Sequence, residues 1–301
     1  MVSSLNPNLQ QFVDSFNGIT NSLQRTQLEI SSGLRINQLS DSPDTISTLL
    51  TARASLSSVQ QINSNLGRFQ SEANGGEQAL ETAVQLFDHV QTLGAQGATD
   101  TVDAATRANL ATQLGSILQQ MGGLAATQVE GRYIFSGDSD QQTPYIIDLT
   151  QANPVSAYMG SASTRLAQYP DGTTFQVAET AQTIFDSNDP TTNVFQAIND
   201  LRTALASNSD MAIQTAVSGL SKVSSYLNAQ LAFYGNVQDE VTNATNEGQN
   251  MQTQLQAQIS GLQDTDMTAA ISQLTQEQTQ EQAALQSEAL IPRNTLFDYL
   301  K

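Results

Sequence analysis

The sequence predicts a mainly α fold: an elongated, coiled-coil-like helical stalk made from the N- and C-terminal halves, with a small β-rich insertion between them. Three observations carry that expectation. Apolar residues recur at 3-4 spacing over long stretches at both ends of the chain, the pattern of helices packed along a narrow seam. That period vanishes between about residues 132 and 186, where short apolar runs alternate with turn signals. Charged residues make up only 13% of the 301 residues, the remaining polarity being uncharged Gln, Asn, Ser and Thr. A surface of that kind can be buried against another subunit without stripping water from ions.

The first seam runs through Leu9, Phe12, Phe16, Ile19, Leu23, Thr26 and Ile30, and Ser31-Ser32-Gly33 interrupts it. Ser40-Asp41-Ser42-Pro43-Asp44 predicts a turn and a new helix, with Ser42 as N-cap and Pro43 in the first turn, where a missing N–H costs nothing. That helix carries Val59, Ile62, Leu66, Phe69, Ala73, Gly76, Leu80, Ala83, Phe87 and Val90, and fades at Gly94 and Gly97. A third helix shows Leu110, Leu114, Ile117, Met121 and Leu124. In the middle, Tyr133-Ile134-Phe135 and Tyr145-Ile146-Ile147 are strand-like, and Pro170-Asp171-Gly172 marks a turn between two alternating runs. Helical spacing resumes at Val194, Ile198, Leu201 and Leu205. It then continues from Ile213 to Leu262, a rod of about 80 Å at 1.5 Å per residue. A last helix starts near Asp266 and ends around Pro292. The expected divisions are an N-terminal assembly helix (1–40), the first half of the stalk (41–131), the β-rich part (132–190), the second half of the stalk (191–263) and a C-terminal assembly helix (264–301).

Several function classes are disfavoured. A net charge of −18 argues against nucleic acid, which needs clustered Lys and Arg, and against an anionic membrane surface. No apolar run approaches the length of a membrane-spanning helix, and the N-terminus shows no cleavable signal. With no cysteine and a single histidine, His89, a nucleophilic triad would depend wholly on one side chain that lies between the seam residues Phe87 and Val90. Asp138 and Asp140 lack the further ligands of a calcium loop. Gly75-Gly76 lacks the lysine of a phosphate loop, so close helix packing explains it better. No catalytic, cofactor or metal site is expected.

The charge is uneven. Residues 1–68 balance four acids against four arginines, whereas residues 230–301 carry nine acids against Arg293 and Lys301. The seams of 1–40 and 265–301 are thin and have no obvious partner beyond each other, so these ends are expected to be mobile in the isolated monomer and to order on assembly. The stripe Leu9, Phe12, Phe16, Ile19, Leu23 and Ile30 is the candidate assembly surface. Leu285, Leu296, Phe297 and Leu300 are the candidate partner-binding residues of an otherwise polar tail.

Three stretches resemble the flagellin family: Gln24–Asp44 (QRTQLEISSGLRINQLSDSPD), Ile62–Leu80 (INSNLGRFQSEANGGEQAL), and Leu262–Leu300 with its DTDMTAAI start and LFDYL finish. Within that family, Gly131–Gly137 (GRYIFSG) and the short insertion around Tyr158-Met159-Gly160 are similar to the hook–filament junction branch more than to flagellin itself. The chain departs in having SDSPD where an acidic pair before the proline is commoner, which leaves the turn intact. The resemblance implies a structural, non-enzymatic subunit of the bacterial flagellum at the hook–filament junction, exported without signal cleavage and lying outside the cell. Implied partners are other axial subunits (adjacent junction protein and flagellin), copies of itself in a ring, and an export chaperone at the C-terminus. Flagellin itself is the near alternative, and a secreted coiled-coil scaffold a more distant one.

Overall fold

Seven helices and four short strands make up the described part of the chain. The computed structural model describes residues 7–38 and 40–290, and for residues 7–9 and 288–290 the backbone alone. Helix α1 (Pro7–Ser32) stops where the sequence places an interruption: Gly33 has φ +71°, the left-handed conformation glycine adopts without a Cβ penalty. Helix α2 (Pro43–Gly97) opens on the proline, and the Ser42 carbonyl accepts the first helical hydrogen bond from the Ile46 N–H at 3.1 Å. Helix α3 (Ala104–Ala125) is capped by Asp103, whose carboxylate accepts from the Thr106 N–H. Strands β1 (Gln128–Val129) and β2 (Arg132–Tyr133) form one antiparallel pair, and β3 (Leu166–Gln168) and β4 (Thr174–Gln176) another. Helices α4 (Ala181–Phe185), α5 (Val194–Ala206), α6 (Asp210–Gln263) and α7 (Met267–Leu290) follow.

The central segment is sparse in strand. Ile134 and Phe135, at the end of a strand-like run, are buried core residues just beyond β2. The 170–172 turn forms as its residues demand, with Gly172 at φ +95° and the Asp171 carboxylate accepting from the Thr173 N–H at 2.8 Å.

The chain divides into two compact units, one made of residues 1–58 with 252–301 and the other of 59–251; α2 and α6 contribute to both. The larger unit holds the apolar core. Phe135 meets Phe185 and Tyr234 edge-on, with ring centroids 6.1 and 5.9 Å apart, and Phe185 stacks on Phe195 at 5.7 Å. Each such buried ring contributes about 1.5–3 kcal/mol from burial alone. Gly76 is required where it lies, because a Cβ there would run into the Tyr234 ring, and the Tyr234 hydroxyl accepts from the Glu179 N–H at 3.2 Å. Close packing is therefore the reason for the double glycine.

Two arginines tie distant segments of this unit together. Arg165 pairs with Glu72 of α2 at 2.5 Å, both side chains nearly buried, and donates its other nitrogen to the carbonyls of Tyr133 and Gly137. Arg107 of α3 reaches the Gly97 carbonyl, Asn208 and Asp210, joining the end of α2 to the start of α6.

Candidate assembly surface

The smaller unit is built on the pairing of α1 with α7. The two run antiparallel: Leu34 bridges Asp264 at one end, and further along Ser22 contacts Glu277. Of the expected stripe, Phe12, Phe16, Ile19, Leu23 and Ile30 are all half-buried, with the Phe12 and Phe16 rings stacked 6.0 Å apart. The buried or half-buried positions on α7 are Ala270, Leu274, Glu277, Glu281 and Ala284. Leu274 apart, these α7 positions are small or acidic, and the large apolar side chains of the stripe stay only half-buried within the chain. Leu9 lies on α1, but its side chain is outside the described residues. Leu285 is 47% exposed, and Leu296, Phe297 and Leu300 lie outside the described residues.

A polar knot closes the loop between α1 and α2 onto the turn between α6 and α7. The Arg35 N–H donates to the Gln263 carbonyl at 2.7 Å, the Thr265 N–H to the Gly33 carbonyl at 3.0 Å, and Arg53 to the Gln263 side chain at 2.6 Å. Asp41 accepts from the N–H groups of Gln38 and Asn37, and those bonds hold its carboxyl below the usual carboxylate range. Burial pushes the Glu277 carboxyl up, but hydrogen bonds from Ser22, Gln273 and Thr26 outweigh it, so it too titrates below its ordinary value.

The sequence pattern missed part of this surface. Val13, Leu28, Leu50, Met267 and Ile271 are each more than two-fifths exposed, and all belong to the smaller unit. With Leu285 they make six of the nine large hydrophobic residues exposed among the described residues, although this unit is the smaller. Val13 and Leu28 sit off the 3-4 seam, so periodicity could not select them, but their being apolar outside a seam was itself the signal.

The other sites considered are unremarkable chemically. His89 is exposed on α2, and Asp140 pairs with Arg132 at 3.2 Å. Among the described residues no cluster of three or more His, Cys, Asp or Glu could hold a metal ion, and no helix is long and apolar enough to cross a membrane.

Residues 3–140 match the bacterial flagellin N-terminal helical region, and residues 211–300 the bacterial flagellin C-terminal helical region, together well over half of the chain. No curated protein matches it by sequence. Among solved structures, a Vibrio parahaemolyticus protein provisionally named a flagellar hook-associated protein is 17% identical with a TM-score of 0.64, over 74% of this chain and 100% of that one. Flagellar hook-associated protein-3 of Legionella pneumophila is 12% identical with a TM-score of 0.61, over 70% and 98%. FlgL of Xanthomonas campestris is 17% identical with a TM-score of 0.60, over 69% and 99%. At such identities the likeness establishes the fold.

Proposed function

Because the chain belongs to the flagellin family, we propose that it is a structural subunit of the bacterial flagellum, that it forms the junction between hook and filament, and that it catalyses no reaction. The observation that carries this reading is the pairing of both flagellin helical regions with a central part of only about 70 residues between them. Hook-associated proteins of similar fold align over nearly their whole length, which supports the junction over the filament. On this reading the chain is exported to the flagellum without signal cleavage and its C-terminal segment is shielded by an export chaperone before assembly. Its neighbours are flagellin, another junction subunit and copies of itself in a ring. A subunit joining unlike neighbours needs a heterologous, head-to-tail surface, and the incompletely covered α1 stripe supplies one.

Deletion of the gene tests the proposal. The expected strain carries hooks without filaments and sheds flagellin into the medium; intact flagella would overturn the reading. Flagellin is the second candidate, since the matching family regions are flagellin's own. The purified chain separates the two: a junction subunit stays monomeric, whereas a filament subunit grows filaments.

A further inference from the structure

The chain holds two Asn-Gly pairs, Asn17-Gly18 in α1 and Asn74-Gly75 in α2, and both asparagines are exposed. An asparagine before glycine is prone to lose its side-chain amide, because no Cβ on the second residue crowds the attacking backbone nitrogen. A regular helix forbids the attack. It ties that nitrogen's N–H to the carbonyl four residues back and holds the nitrogen out of reach of the side-chain carbon. Each site therefore reacts only as often as its helix opens. We propose that Asn17 is a site of spontaneous deamidation in the unassembled chain, from which Asn74 is protected.

The two sites differ in what opening costs. Along α1, Thr26 is the only buried side chain among the described residues, so no buried apolar group holds the helix closed around Asn17. A Cβ placed on Gly18 would meet nothing within 4 Å. Asn74 instead lies between the buried residues Ala73 and Gly76, in the larger unit. A Cβ on Gly75 would run into the Val129 side chain, and the Asn74 Oδ1 accepts from the Gln70 amide at 3.0 Å. Freeing the backbone at Asn74 breaks the core, whereas freeing it at Asn17 opens only a half-buried seam.

In the reaction the Gly18 nitrogen bonds to the Asn17 side-chain carbonyl carbon. The bond from that carbon to Nδ2 breaks, and the Gly18 N–H proton leaves with Nδ2 as ammonia. Water then opens the cyclic imide at either carbonyl, giving aspartate or isoaspartate. Both products set a new carboxylate at i+3 from Asp14, a repulsive spacing on a helix. Isoaspartate also inserts a methylene into the main chain between Phe16 and Ile19, which breaks the helical alignment of the stripe. A chain left unassembled thus accumulates a lesion in its own candidate assembly surface, and any contact that fixes α1 stops the reaction. The chemistry rests on the openness of the smaller unit and not on the flagellar reading.

The test keeps the full chain in neutral buffer below its main thermal transition and digests samples over time. Mass spectrometry follows the conversion of amide to acid at each asparagine, and electron-transfer fragmentation tells isoaspartate from aspartate. Synthetic peptides spanning residues 13–21 and 70–78 supply the rate of each sequence without structure. Relative to its own peptide, Asn17 should react at least about tenfold faster than Asn74, with isoaspartate among the products. A smaller ratio would overturn the proposal, whether both sites are protected alike or both react as freely as their peptides. Asn17→Gln, whose longer side chain closes such a ring far more slowly, should gain no acid at residue 17 over the same period; acid appearing there at the parent's rate would also overturn it.

Discussion

The two units reach order by different means. In the larger, Phe87, Phe135, Phe185, Phe195, Tyr234 and many aliphatic side chains are buried; in the smaller, the only buried apolar side chains among the described residues are those of Ile36, Leu49, Ala52 and Ala270. The smaller unit relies instead on a half-buried seam and on polar links such as Arg53–Gln263 and Ser22–Glu277, while keeping large apolar side chains in contact with solvent. Burial supplies most of the free energy of folding, whereas a single hydrogen-bonded link adds about 1 kcal/mol net. One unit is thus self-sufficient and the other incomplete, as a subunit needs if its ends are to be finished by its neighbours.

The largest expected effect breaks the self-sufficient side of that contrast. Phe135→Ala removes a ring with no exposed surface that touches two other aromatics. It should cost about 3–5 kcal/mol and lower the denaturant midpoint of the main unfolding transition accordingly. A change below 1 kcal/mol would show that this cluster is not the core. Arg165→Ala should cost about 3 kcal/mol, because it strands the nearly buried Glu72 carboxylate. Adding Glu72→Leu should restore part of the loss, and a double variant no better than the single would argue against the pair.

Hydrogen exchange sharpens the contrast without substitutions. Amides across 59–124 and 211–251 should exchange only through global opening, and those of α1 and α7 through openings of much lower free energy. Uniform protection along the chain would remove the distinction between the units.

The smallest expected effect is on acid sensitivity. Asp148, Asp171 and Asp189 each accept from the threonine two residues on, and Asp103 from Thr106, and these bonds lower all four carboxyl pKa values. Lowered folded-state values mean that the contribution is fully present above the unfolded value of about 4 and is lost as pH falls through the folded values. The thermal midpoint of the larger unit should therefore be flat above about pH 5 and decline below pH 4. A midpoint that rises on acidification would have the wrong sign.

Much of this architecture was legible because it is periodic or punctuated. The 3-4 spacing marks every long helix, and Gly33, Pro43 and Gly172 mark the stop, start and turn that the structure contains. Pairings over long sequence distance left no such trace. Arg165 and Glu72 lie 93 positions apart, so neither announces the other. The two-residue strands β1 and β2 are too short to show alternation. Glu277 sits in a Gln/Glu-rich stretch that reads as a solvated face, and only the packing of α1 against α7 shows that it is buried. The candidate surface was half legible: the seam stripe could be selected by its period, whereas Val13 and Leu28 lie off it.

The claim that the α1 stripe is completed by other subunits is tested most directly by Phe12→Asp with Phe16→Asp. Both rings are half-buried in the smaller unit and belong to none of the larger unit's core, so the main thermal transition and the helical circular dichroism should be retained. In an assembled contact, each new carboxylate would be desolvated without a partner, at a cost of several kcal/mol. A deletion strain producing this variant, with export to the medium equal to that of the parent, should carry bare hooks. Normal filaments built with the exported variant would show that the stripe is not an assembly surface.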